Sequence, residues 1–285
     1  MPALSLFAVL TAAALVALAT GTGAATAAGL PVILWCAAIA FAVQWIAYVP
    51  AWLRRTERFY DLTGSVTYLL VIWTALLLTG AWDPRSVLLV AMVSAWTLRL
   101  GIFLFRRIHA DGGDGRFDEI KQDAGRFLVA WTVQGLWVFL TAVAALAAIT
   151  AGAAVDLSVW DAIGFTIWVI GFAIEIVADQ QKRRFRGDPA NEGDFISSGL
   201  WSWSRHPNYF GEIVLWTGIA VMAAPTLEGW RWVALVSPLF VTLLLTRISG
   251  IPILERRADE RWGGQPDYER YKARTSVLVP WPPGD

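Results

Sequence analysis

Arg205, His206, Asn208, Tyr209 and Glu212 fall within one short stretch, GLWSWSRHPNYFGEI (199–213), with very apolar sequence around it. A guanidinium, an imidazole, an amide, a phenol and a carboxylate so close together supply a cation, donors and acceptors, and groups able to move protons. Proline suits the first turn of a helix and biases the residue before it away from helix, so a helix is predicted to start near Pro207. Asn208 and Glu212 are then four apart on one face. Arg205 and His206 sit just outside that helix, where free backbone N–H groups also favour anions. His206 reads either as a ligand contact or as a hydrogen-bonded cap.

A second polar stretch precedes it, EIVADQQKRRFRGDPANEGDF (175–195). Glu175 and Asp179 share a helix face, and Lys182 and Arg183 follow within reach of Asp179, with Arg186 beyond. Such a cluster can hold a phosphate; it also fits a positively charged anchor with local ion pairs. Glu175 favours function, because an acid near the end of a membrane helix is costly unless paired or wet. The segment GIPILERRADERWGGQPDYERYKARTSVLVPW (250–281) places Arg256, Asp259 and Glu260 on one helix. GGQP ends it, and Tyr268 and Tyr271 fall on the next. They read as an interfacial belt or as one wall of a pocket. RFYDLTGSVTY (58–68) sets Tyr60, Asp61, Ser65 and Tyr68 at the mouth of a further apolar segment. Gln44 lies inside an uncharged run, where a buried amide needs a partner on another helix or a substrate oxygen.

The elements that carry these residues are set by composition. The chain has 285 residues, 56% hydrophobic and only 16% charged, with seventeen tryptophans; its mean hydropathy is +0.53. No Asp, Glu, Lys or Arg precedes Arg54, and 127–155 is a second uncharged run. A bilayer crossing takes about 20 apolar residues. Candidate helices fall at 3–20, 30–50, 65–81, 87–105, 127–150, 159–178, 209–225 and 231–250. The reading is an all-α, polytopic integral membrane protein with about eight transmembrane helices, in one membrane domain over 1–285. Residues 1–126 are its N-terminal, possible substrate side, and 127–285 hold the cofactor motifs. The first segment lacks a basic n-region and reads as a transmembrane helix rather than a cleaved signal.

Loops 51–64, 106–126 (with Arg106, Arg107, Arg116, Lys121 and Arg126) and 179–208 are basic. The intervening ones are nearly bare, with Arg85 and Arg231. The positive-inside rule then puts the basic loops and both termini in the cytoplasm, in a bacterial-type inner membrane. A formal net charge of zero argues against nucleic-acid binding. One cysteine, Cys36, and two histidines, His109 and His206, leave no internal disulfide and no metal site. The glycine-containing loop RRIHADGGDGRFDEIKQD (106–123) has no Walker pattern and no dinucleotide fingerprint.

The order ADQQKRRFR, GLWSWSRHPNYFGEI, GIPILERR, DYERYKARTSVLVP resembles the DUF1295 family, which is related to the C-terminal domain of steroid 5-alpha reductases and sterol reductases and, more distantly, to isoprenylcysteine carboxyl methyltransferases. The resemblance is strongest over 165–281. It implies a helical membrane fold with a cytoplasm-facing cofactor cavity. It makes Lys182, Arg183, Arg205, His206, Asn208, Tyr209 and Glu212, with Asp179, Asp259, Tyr268 and Tyr271, candidate cofactor residues. In the reductase relatives the cofactor is NADPH; in the methyltransferase relatives it is S-adenosylmethionine. The fuller SRHPNYFGE form leans toward the reductases. Their glutamate–tyrosine pair for the substrate carbonyl has no residue-by-residue match here; Tyr60, Asp61 and Tyr68 are physically suitable. The expected activity is NADPH-dependent reduction of an activated C=C bond, such as an enone, in a lipophilic, possibly steroid-like substrate drawn from the membrane. A methyltransferase acting on a lipid or isoprenylcysteine, and a non-enzymatic lipid-binding scaffold, are the alternatives.

Overall fold

Uncharged runs without a polar face have one stable use in this chain, as helices in lipid or in a helical core. The computed structural model describes residues 2–111, 113–115, 117–152 and 155–283. Gly112 and Arg116 of the glycine-containing loop lie outside the described residues. The helices are α1 (Pro2–Thr20), α2 (Val32–Leu53), α3 (Tyr60–Thr79), α4 (Pro84–Asp111), α5 (Ala124–Ile149), α6 (Val159–Gly187), α7 (Pro207–Ala223), α8 (Val236–Leu243), α9 (Ile251–Trp262) and α10 (Pro266–Arg274). A two-residue antiparallel pair, Thr26–Ala27 with Leu30–Pro31, is the sheet among the described residues. Eight segments of the described chain are long and apolar enough to cross a membrane: α1 to α7, the last extended to Thr226, and a composite span Gly229–Trp262. The protein is an all-α polytopic membrane protein, as the sequence implies.

The chain divides into two compact units. The first comprises Met1–Asp161 and Ala220–Ser237. Its centre is α5, which packs against α1, α2, α3, α4 and the 3₁₀ turns of Gly229–Leu235. Its last three turns, Leu140 to Ile149, are buried on every side. That accounts for the uncharged run of 127–155, since a helix apolar all round belongs in a core. Asp123 caps its start, accepting from the Arg126 N–H at 2.7 Å. Arg231 closes its other end, donating to the carbonyls of Ala147 and Ala151, where unmatched C=O groups and the helix dipole favour a cation. Gln44 finds its partner on α3, donating to Thr67 Oγ1 at 2.8 Å.

Arg85 and Asp161 form a buried two-pronged ion pair, Nε to Oδ1 at 2.6 Å and Nη2 to Oδ2 at 2.7 Å, with side chains 2% and 6% exposed. Arg85 also donates to the carbonyls of Val155 and Asp156, and Asp161 accepts from the Ser158 N–H and hydroxyl at the start of α6. The two basic residues of these sparsely charged loops, Arg85 and Arg231, are thus consumed inside the fold.

The second unit comprises Ala162–Ile219 and Pro238–Asp285. Here α6 and α7 run backbone to backbone. A Cβ on Gly171 would lie 2.5 Å from Leu215 N and 2.6 Å from Gly211 O. Small residues permit this approach between membrane helices. The final span is a composite rather than one helix: α8 runs into a π-helical turn at Leu244–Ile248, and the chain breaks at Ser249–Gly250 before α9. Pro252 in the first turn of α9 suits this restart.

Candidate functional site

All eleven predicted cofactor residues lie in the second unit. The helix expected at Pro207 begins there, and GGQP separates α9 from α10 as read. His206, immediately before α7, is 5% exposed. Its Nε2 meets Glu255 Oε1 at 2.7 Å, and Glu255 Oε2 takes Arg205 Nη1 at 3.0 Å. The imidazole stacks on Tyr209, centroids 5.7 Å apart and planes 10° apart. Burial pushes the His206 imidazole below the ordinary histidine value, and Lys182 and Arg205 add to that; the hydrogen bond it donates to Glu255 offsets only part. Arg205 Nε is buried without a hydrogen-bond partner among the described residues.

On α6, Glu175 and Asp179 are buried, one turn apart. Asn208 Nδ2 reaches Asp179 Oδ1 at 3.3 Å, which ties α7 to α6. Glu212, one turn after Asn208, is also buried. Lys182 Nζ stands 4.3 Å from the centre of the Trp201 ring, and Arg183 is exposed. Gln181 Oε1 accepts from the Leu200 N–H at 2.9 Å. The turn there needs Gly199, whose φ of +62° and closeness to Gln181 leave no room for a side chain.

Asp259, one turn beyond Glu255 on α9, accepts from Tyr268 OH at 3.1 Å and Lys272 Nζ at 2.8 Å. Burial, then the Asp259 carboxylate, push the Tyr268 phenol up to about 12. Tyr271 donates to the Trp201 carbonyl at 2.7 Å, and burial raises its phenol as well. Phe195 packs against both tyrosine rings, at 5.2 and 5.3 Å. Main-chain and hydroxyl bonds lash the motif to the segment beyond α10. Arg205 N donates to Ser276 O at 2.8 Å, Ser204 Oγ to Leu278 O at 2.7 Å, and Trp281 N to Trp203 O at 3.0 Å.

The residues read as catalytic lie in the first unit, on α3. Tyr60 donates its hydroxyl to the Ala130 carbonyl at 2.9 Å, and its own carbonyl accepts from Gln134 Nε2 at 3.0 Å. Asp61 Oδ2 is 3.6 Å from Arg107 Nη2. Tyr68 is buried with its ring edge-on to Trp96 at 5.1 Å. Asp61 and Tyr68 are seven residues apart and so share a helix face. Among the described residues there is no cluster of three His, Cys, Asp or Glu side chains suited to a metal.

Sequence reasoning passed over Glu255, which holds both Arg205 and His206. The available signal was spacing: in LERRADE, Glu255 lies four residues before Asp259, on the same helical face.

The sequence pattern described as "Protein of unknown function (DUF1295)" matches residues 47–275, well over half of the chain. The chain belongs to the DUF1295 family. This DUF1295 protein is also 31% identical over 120 residues to rat 3-oxo-5-alpha-steroid 4-dehydrogenase 1, a match covering 41% of this chain and 40% of that protein. It is 30% identical over 92 residues to a probable O-methyltransferase of Ustilaginoidea virens, 32% of each chain. With an uncharacterized protein of Schizosaccharomyces pombe it shares 25% identity over 185 residues, 53% of this chain and 54% of the other. The matches thus span about half or less of these relatives' lengths. They establish distant, family-level homology to steroid 5-alpha-reductase-like proteins. No solved structure matches.

Proposed function

We propose that this DUF1295 protein is a membrane-embedded, NADPH-dependent reductase of an activated C=C bond, an enone or related group, in a lipophilic substrate. The observation that carries the reading is the partly buried cluster in which Glu255 of α9 holds Arg205 and His206 at the start of α7. The residues fit a phosphate-bearing cofactor. Arg205 Nε is a buried donor with no hydrogen-bond partner among the described residues, and Lys182 and the exposed Arg183 add cations. Lys182, Arg183, Arg205 and backbone N–H groups at Pro207's helix would hold phosphates. Asp179, His206, Asn208, Tyr209 and Glu212 would orient the hydroxyl and amide groups, and Asp259, Tyr268 and Tyr271 would wall the site. Bound NADPH would supply a hydride to the substrate's β carbon. Charge developing on the substrate carbonyl oxygen needs a donor, and a phenol or neutral carboxyl group can hydrogen-bond that oxygen and deliver the proton. Tyr60, Asp61 and Tyr68 are proposed for that role on chemical grounds. Apolar helices favour a substrate delivered from lipid.

A second reading, methyl transfer from S-adenosylmethionine, is favoured by the similarity to a probable O-methyltransferase. One experiment separates the two. Purified protein in detergent is titrated with NADPH, NADH and S-adenosylmethionine while its melting is followed; a ligand that binds only the folded state raises stability by about 2.7 kcal/mol at a hundred times Kd. Stabilisation by NADPH, lost in Arg205→Gln and Asn208→Ala, is the expected result. Stabilisation by S-adenosylmethionine alone would replace the hydride mechanism with methyl transfer. A folded protein stabilised by none of them would favour the scaffold.

A further inference from the structure

Glu255 touches two of the residues above from a different helix, and its chemistry constrains what His206 can offer. A carboxylate only accepts hydrogen bonds. The 2.7 Å contact to Glu255 Oε1 therefore requires a proton on Nε2 of His206. The second carboxylate oxygen is taken by Arg205 at 3.0 Å, so Glu255 cannot rotate to release the ring without breaking an ion pair. Tyr209 stacked on the imidazole face fixes its plane. No hydrogen bond to His206 Nδ1 occurs among the described residues.

We propose that Glu255 is a positioning residue that locks His206 in the Nε2–H tautomer, so that Nδ1 is a bare acceptor and selects a ligand group bearing an O–H or N–H donor. The inference rests on the reading of this unit as a cofactor site and gives that site a polarity. Arg205, Lys182 and Arg183 select anionic groups, whereas His206 selects a neutral donor such as a ribose hydroxyl or a carboxamide. An imidazolium would offer a donor instead and would reject that partner. The groups acting on the ring are Glu255 from α9, which favours its protonation, and Lys182 from α6 and Arg205 beside it, which oppose it; burial opposes it most.

The test uses the whole protein in detergent with isotopically labelled histidine. Only His109 and His206 contribute, and His109→Gln removes the other signal. At neutral pH the nitrogen shifts of His206 should report a neutral ring with its proton on Nε2. In Glu255→Ala the ring should lose that preference and populate both tautomers. NADPH affinity should fall about tenfold, the worth of one hydrogen bond. Glu255→Gln keeps an acceptor oxygen and should retain the tautomer. Its His206 should titrate at lower pH than in the parent, because the charge that lifts it is gone. That variant carries the test if the alanine form does not fold. A parent ring protonated on Nδ1 or charged at neutral pH, an unchanged tautomer in Glu255→Ala, or an unmoved titration in Glu255→Gln would each overturn the proposal. Failure of the cofactor reading would look different: the parent would bind no NADPH while the tautomer results stood.

Discussion

Tyr268 shows how one side chain reports on its surroundings. Its phenol lies above the ordinary value of about 10, at about 12, because it is buried and donates to Asp259. A group raised in the folded state stabilises fully below its unfolded value and loses that contribution as pH rises through the folded one. The Asp259–Tyr268 contact should therefore hold to about pH 10 and fail as pH rises toward 12. Tyrosinate absorbance should show one late step missing in Tyr268→Phe; if the variant instead loses an ordinary early step, the contact is not made. The substitution itself should cost roughly 1 kcal/mol of stability. His206 works in the opposite sense, its pKa lowered by burial, so its contribution is complete above the ordinary value of about 6.5 and shrinks as pH falls below it. At this scale the arginine, histidine, asparagine and tyrosine of SRHPNY were legible because polar residues stand out against apolar sequence. Glu255 was not, because within LERRADER it is one charge among many and resembles any solvated helix face.

Between helices, close approach and buried charge decide the packing. A side chain on Gly211 would meet Glu175 N at 2.7 Å. Gly211→Leu must push α6 from α7, and overpacking of this kind costs about 1–3 kcal/mol; a lowered melting temperature should accompany loss of any ligand stabilisation. In the other unit, Arg85→Met leaves Asp161 buried without its partner and should destabilise by about 3–5 kcal/mol, whereas Arg85→Met with Asp161→Leu should recover much of that. Thermal melts of the two variants check this; equal losses would mean that the pair is no more than its separate parts. Helix starts could be read from sequence where proline and glycine punctuate it, at Pro207 and GGQP. The Arg85–Asp161 pair could not, because its members lie 76 residues apart and nothing local links them. Nor could the π turn and break at Leu244–Gly250, since an apolar run gives the same hydropathy whatever its hydrogen-bond register.

Across the whole molecule, the eight candidate spans and the charge alternation predict that both termini and loop 179–208 face the cytoplasm. The burial of Arg85 and Arg231 sharpens that expectation, because neither adds an exposed positive charge to an opposite-side loop. Cys36 is buried, so single cysteines placed at Ser197 and Asp156 can be read with little background. An impermeant thiol reagent on intact cells should label Asp156→Cys and spare Ser197→Cys; the reverse would invert the topology. Composition alone gave the number of spans, since about 20 apolar residues make one. Division into two compact units was not legible, because contacts between segments distant in sequence leave no trace in hydropathy. Residues 203–205 are lashed to 276–281, and residue 281 is made only after all eight candidate spans have been synthesised. The stretch that gathers the arginine and histidine can therefore mature only after the last of those spans, Gly229–Trp262, has been made. A nascent chain halted after Arg274 should carry the eight candidate spans and still lack the lashing of 203–205; a ligand held by this stretch would then bind late in biogenesis.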